Sequence, residues 1–194
     1  MIFNKTALKG AYVVELEPHT DDRGQFARTW CREEFARHGL DVEVAQGNVS
    51  VNPTRGTLRG LHWQVAPHGE IKLVRCVRGA IYDVIVDVDP RSPSFGGWIG
   101  VTLTPASQRM LYVPQGFAHG FQTLADDTEV DYLLSSPYVA AAGRGLRYDD
   151  PALAIAWPLP VTRISDQDRS WPLFEGTDAR GKASESRATP TPVA

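Results

Sequence analysis

The amino-acid sequence predicts an all-β domain, an antiparallel jelly-roll barrel with one short helix near the N-terminus and a disordered C-terminal tail. Three observations carry this. Between about residues 44 and 135, short runs rich in Val, Ile, Leu, Thr and aromatics recur between Gly and Pro punctuation, the spacing of a sandwich or barrel. One run, AIYDVIVDV (80–88), alternates with period two, putting Ile81, Asp83, Ile85 and Asp87 on one face and Tyr82, Val84, Val86 and Val88 on the other; that fits a sheet and not a helix. The gaps between runs are too short for crossover helices of about ten or more residues, so neighbouring strands must run antiparallel.

Taken in order, AYVVELE (11–17) is a strand, and HTDDRG (19–24) is a turn that places Arg23 at its tip. REEFARH (32–38) has helix-favouring composition and stops at Gly39, the residue expected just past a helix end. Strands follow at VAQGNVSV, TLRGLHWQ, IKLVRCV, AIYDVIVDV, WIGVTLT, RMLYVP, GFQTL and EVDYLLS. After Pro151 the composition shifts to Pro, Ala and Asp, and AIAWPLP (154–160) is expected to pack across the barrel. The tail TDARGKASESRATPTPVA has few apolar side chains to bury and is read as disordered, which leaves a domain at 1–176 and a tail at 177–194.

Bulk properties narrow the function. A chain of 194 residues is the usual size of one domain. With 42% hydrophobic and 22% charged residues it is ordinary soluble composition, and no run approaches the roughly 18 apolar residues of a membrane span. The start MIFNKTALKG lacks a secretory pattern, so the expected compartment is the cytoplasm. Cys31 and Cys76 are too few and too far apart for a thiolate metal site and are read as reduced thiols without function. A net charge of −3 with interspersed signs argues against a nucleic-acid polymer or anionic membrane as partner, while a local cluster of arginines still suits a small anion. No internal repeat and no Walker or Rossmann glycine loop is present.

Chemistry concentrates on a few residues. His62 in RGLHWQ and His119 in PQGFAHGF stand beside glycines that let backbone or ligand approach closely. Pro114, Gly116 and His119 have the P-x-G-x-x-H spacing that resembles the second metal motif of cupins, so a metal held by His62, Glu70 and His119 is one reading. Against it, the position two after His62 is Gln64 where the first cupin motif has a second histidine, and Gln is a poor transition-metal ligand. His38 and His68 lack ligand-like spacing. Without metal, His62, Lys72 and Tyr132 offer a base, a cation for a developing oxyanion and a phenol to return a proton, although spacing alone does not join them. Arg23, Arg59 and Asn48 sit beside turns and glycines where they could grip a diphosphate. Arg59 and His62 would point to opposite faces of a regular strand, so both enter one pocket only through a bulge or bend, which Gly60 makes feasible.

The segments DDRGQF, QGNVS, TLRGLHWQ, IKLVRC, SPSFGGW, VPQGFAHGF, YDDPAL with AWP, and ISDQD occur in order from about residue 3 to 172. Together they resemble the family of nucleotide-linked 4-keto-6-deoxyhexose 3,5-epimerases, the dTDP-4-dehydrorhamnose 3,5-epimerase type. The resemblance implies a homodimeric cupin-type jelly roll that needs neither metal nor other cofactor and acts on a nucleotide-diphosphate sugar. It implies His62 as base, Asp168 as its orienting partner, Lys72 near the ketone oxygen and Tyr132 as opposing acid. It further implies a sugar contact from His119, Tyr138 lining the sugar and base region, and phosphate and nucleotide contacts from Arg23, Phe26, Gln46, Asn48 and Arg59, with the Arg23 turn supplied by the partner subunit. The chain departs from the family pattern at Arg28, Leu133 and Ala141, which leaves the nucleotide open. Two other classes remain as rivals: a metal-dependent cupin enzyme, and a sugar-nucleotide binding protein without turnover.

Overall fold

A computed structural model describes residues 1–40 and 43–175; the tail read as disordered lies outside the described residues. In chain order the elements are β1 (Ile2–Lys5), β2 (Tyr12–Glu15), β3 (His19–Asp21), β4 (Gly24–Phe26), α1 (Arg32–Arg37), β5 (Gln46–Asn52), β6 (Leu58–Gln64), β7 (Lys72–Arg78), β8 (Ile81–Asp87), β9 (Trp98–Leu103), β10 (Arg109–Val113), β11 (Phe117–Thr123), β12 (Thr128–Leu134), a 3-10 turn (Ala140–Ala142), β13 (Gly143–Gly145) and α2 (Asp166–Ser170). The strand runs read from the sequence are all present, and α2 is an addition to them.

From β5 to β12 the chain repeatedly switches between two facing sheets, the interleaving of a jelly roll. One sheet has six strands in the order β1-β2-β10-β7-β12-β5, the other five in the order β13-β6-β11-β8-β9, and β3-β4 is a separate hairpin. Neighbours in the sheets are antiparallel, as the short connections require.

The alternation of β8 explains how the sheets pack. Ile81 and Ile85 point between the sheets, against Val74, Leu111, Val113, Phe121 and Val130. Val84 and Val86 point outward and are covered by Leu146 and Leu153, with Ile155 and Trp157 of the AIAWPLP segment against them. Gln122 fixes that segment: its buried amide donates to the Leu159 carbonyl (2.8 Å) and accepts from the Leu159 N–H (3.0 Å). On the other flank, α1 buries Phe35 against Val14, Leu73, Met110 and Tyr112 and ends where Gly39 takes φ +69°, a left-handed conformation that glycine adopts without strain. Among the described residues no helix is long and apolar enough to cross a membrane.

Pairing of β6 with β11 is irregular at one point. His119 pairs with His62 and Phe121 with Arg59, so three steps on β6 oppose two on β11. Gly60 lies in this bulge at φ +125°, and Gly120 faces it so closely that a β-carbon on Gly60 would stand 2.5 Å from the Gly120 Cα and 2.9 Å from the His119 carbonyl oxygen. The extra residue turns Arg59 and His62 into the same cavity, which resolves the parity conflict between them.

Gly60→Ala is expected to destabilise the fold by about 2 kcal/mol or more, because a disfavoured φ and a backbone clash add. Urea unfolding of the purified variant measures this.

Candidate active site

A cavity of about 990 Å³ opens between the sheets, walled by β5, β6, β7, β11 and β12 and by the segments around Tyr138 and 163–171. His62, Lys72, Tyr132, Asp168, Gln46, Asn48, Arg59, His119 and Tyr138 all line it. Arg23 and Phe26 do not. They sit on the β3–β4 hairpin, Phe26 is 76% exposed, and the Arg23 guanidinium forks onto Asp21 (Nη2 to Oδ2, 2.5 Å).

His62 and Asp168 form a dyad, with Nε2 and Oδ1 2.6 Å apart. Asp168 is delivered by α2, whose N-cap Ser165 accepts a bond from the Asp168 N–H (3.0 Å). Its Oδ2 accepts the Gly60 N–H (3.2 Å), and its Oδ1 also accepts the Trp171 indole N–H (3.2 Å). Burial pushes this carboxyl up, but the hydrogen bond and charge of His62, then the Gly60 amide and the indole, outweigh it and hold it below its ordinary value. An ionised carboxylate only accepts, so the Nε2 proton belongs to His62 and its lone pair lies on Nδ1.

Lys72 spans the two sheets. From β7 its buried Nζ donates to the His62 carbonyl oxygen (3.0 Å) and pairs with Glu70 Oε1 at 3.1 Å. Burial pulls the ammonium below its ordinary value against the opposing charge and hydrogen bond of Glu70 and the charge of Asp83. Glu70 in turn accepts from Gln64 Nε2 (3.1 Å), and Gln64 Oε1 receives the Val139 N–H (2.6 Å). Gln64 thereby ties the loop bearing Tyr138 to the cavity wall.

His119 makes a second, deeper dyad. Its Nε2 lies 2.7 Å from Asp83 Oδ1, and both side chains are buried. Asp83 Oδ2 has no hydrogen-bond partner among the described residues. Tyr132, from the opposite sheet, meets the His119 ring edge to face with centroids 6.0 Å apart. Burial, then the charge of Asp83, push the Tyr132 phenol well above its ordinary value, against a smaller opposing pull from Arg59. At neutral pH the phenol keeps its proton.

Arg59 bonds Asn52 Oδ1 (2.7 Å), while Gln46 joins Asn48 (3.0 Å) and accepts the Tyr138 N–H (3.2 Å). Arg144 and Arg163 complete the cationic lining. Among the described residues no three of His, Cys, Asp and Glu are grouped to hold a metal ion; His62, Glu70 and His119 each engage a different partner. Sequence reasoning had assigned no role to Asp83 or Trp171. Asp83 left a signal, an acid on the strand face that carries Ile81 and Ile85, since a buried acid demands a partner.

Fold and pocket define a small jelly-roll enzyme with acid–base groups and arginines gathered in one cavity. The family model described as dTDP-4-dehydrorhamnose 3,5-epimerase matches residues 5–176. A dTDP-4-dehydrorhamnose 3,5-epimerase of Methanothermobacter thermautotrophicus is 43% identical over 89% of this chain and 95% of its own. The crystal structure of dTDP-4-dehydrorhamnose 3,5-epimerase from Bacillus anthracis, with TDP and PPi bound, is 39% identical over 89% of this chain and 99% of its own, with a TM-score of 0.87. A 3'-monoepimerase from Streptomyces bikiniensis, in complex with dTDP-quinovose, is 38% identical over 88% of this chain and 86% of its own, with a TM-score of 0.82. The chain belongs to the dTDP-4-dehydrorhamnose 3,5-epimerase family.

Acid titration tests the Asp168 environment. A carboxyl held below its unfolded value adds stability that is complete above that value, about 3.9, and is lost as pH falls through the folded value. Thermal melts from pH 7 down to pH 2.5 are expected to steepen below about pH 4, and Asp168→Asn should remove part of that slope.

Proposed function

We propose that this protein inverts carbon 3, carbon 5 or both of a 4-keto-6-deoxyhexose carried on a nucleoside diphosphate. One observation carries the reading: a carboxylate-backed imidazole on β6 and a protonated phenol on β12 enter one cavity from opposite sheets, with a buried ammonium from β7 beside them.

The carbon 4 ketone acidifies the hydrogens on carbons 3 and 5. His62 Nδ1 removes one of them, and Asp168 stabilises the imidazolium that forms. Charge moves onto the ketone oxygen as an enolate. Lys72 answers it: burial destabilises the ammonium in the resting pocket, so a developing oxyanion stabilises the ionised form more in the transition state than in the ground state. Tyr132 returns a proton from the opposite face and inverts the centre. His119, held by Asp83, faces the sugar beside Tyr132. Gln46, Asn48, Arg59 and Tyr138 suit the diphosphate and base, and the relatives that bind TDP or dTDP-quinovose favour thymidine diphosphate as the carrier. A 990 Å³ cavity has room for a nucleotide sugar.

The expected outcome in heavy water is deuterium at carbon 3, carbon 5 or both of dTDP-4-keto-6-deoxyglucose, read by NMR, with exchange reduced about 10²- to 10⁴-fold in His62→Ala. Tyr132→Phe should keep more exchange than inversion, because it spares proton removal. Absence of exchange with thymidine, cytidine and guanosine diphosphate sugars would overturn the reading in favour of a binding protein or a metal enzyme.

Arg23 and Phe26 are proposed to complete the site of a second copy. β5 is a sheet edge with Val49 62% and Val51 56% exposed, beside the cavity that both residues line. An uncovered apolar edge is a pairing surface, and a two-fold dimer would let each copy's hairpin reach the other's cavity. Arg23→Ala should then be nearly inactive. Mixing it with His62→Ala after reassembly should restore about a quarter of wild-type activity, since half the dimers are mixed and each has one complete site. No restoration means that Arg23 acts within its own chain or not at all.

A further inference from the structure

We infer that Trp171 is a positioning residue for the base: its indole N–H occupies the same Asp168 oxygen that holds His62 and so limits how strongly the dyad draws a proton. This role rests on the reading of His62 as the base. Asp168 Oδ1 accepts from both His62 Nε2, at 2.6 Å, and Trp171 Nε1, at 3.2 Å. Two donors on one oxygen divide its negative charge, and the second fixes the plane of the carboxylate for the first. Trp171 caps the C-terminal end of α2 and lines the cavity, so the helix that presents the carboxylate also carries the second donor to its Oδ1.

The surrounding packing holds the indole in this place. Its ring meets the His62 ring edge to face, with centroids 6.2 Å apart and planes at 67°. The ring also occupies space left by Gly145, where a β-carbon would collide with the indole ring atoms. Gly145 is the β13 residue paired with His62. The base, its backbone partner and the indole are thus one packed unit, and a side chain at 145 would push the ring off Asp168.

Removing the indole N–H should leave Oδ1 to His62 alone, strengthen that bond and stabilise the imidazolium. In Trp171→Phe the His62 titration midpoint is expected to rise by about half a pH unit, a proton affinity about threefold higher. The acid limb of kcat/KM should move up with it while KM stays nearly constant, because the limb reports the free enzyme's base. Gly145→Ala should shift the midpoint in the same direction by displacing the ring. The midpoint is read by NMR of the imidazole Cε1–H in the substrate-free protein, with the resonance assigned by its loss in His62→Asn, so it needs no turnover. An unmoved or lowered midpoint in the folded variants, whatever their thermal stability, would show that Trp171 only packs and overturn the inference. Should Trp171→Phe fail to fold, Gly145→Ala decides by the same titration. Failure of the epimerase reading would appear separately, as wild-type protein without deuterium exchange.

Discussion

The bond between His62 and the Asp168 carboxylate depends on, and organises, much of the surrounding chain. His62 comes from the second long strand of the barrel and Asp168 from a five-residue helix more than a hundred positions later. For them to meet, the C-terminal segment must cross back over the five-stranded sheet, and Gln122 and the Val84–Val86 face provide the surface and the hydrogen bonds for that crossing. The Gly60–Gly120 approach then supplies the last adjustment, turning His62 inward and aiming the Gly60 N–H at the same carboxylate. A side chain at either glycine would meet backbone, which does not yield as a flexible side chain does.

Beyond that dyad the pocket is an arrangement of charges held slightly out of their preferred states. Lys72 is a cation whose burial disfavours its charge; Glu70 and Asp83 compensate only in part. Tyr132 is kept neutral by burial and by the Asp83 charge. Asp83 is accordingly coupled to both groups while bonding only His119, and its second oxygen has no partner among the described residues. A buried carboxylate in that position costs free energy by itself. On the proposed mechanism its charge helps keep the lysine a cation and the tyrosine an acid, the two states an enolate intermediate requires.

Most of the strand framework was legible because it is governed by period-two alternation and by glycine and proline punctuation, as β8 illustrates through Ile85 and Val84 on opposite sheet faces. Histidines beside glycines marked the chemistry for the same reason: close backbone approach is a local property of the chain. Helix α2 escaped notice because five polar residues carry no hydrophobic period, and only its Ser165 cap and its contact with β6 make it helical. Trp171 was equally silent, since its partner Gly145 lies far away in sequence and contributes by lacking a side chain. Joining Lys72 to Tyr132 required the register of β7 against β12, and joining both to His62 required the facing of the two sheets, which residue types do not encode locally.

The departures from the family pattern acquire a common meaning once placed in the fold. Leu133 alternates with Tyr132 and packs among Phe35, Leu73 and Met110 on the outer face of the six-stranded sheet, away from the cavity. Arg28 is exposed and paired with Glu34 (2.7 Å). Ala141 is exposed in the 3-10 turn, with its carbonyl accepting from Arg144 (3.0 Å). None of the three lines the cavity, so on the proposed mechanism variation there spares the chemistry at the ring carbons. What it can alter is the periphery, where the nucleotide and a second copy would meet the barrel. On the proposed reading, proton transfer belongs to the packed interior, where a change of one methyl group is felt, and recognition of the carrier to exposed segments that tolerate substitution. Such a separation would let one barrel keep its reaction while the group attached to the sugar changes.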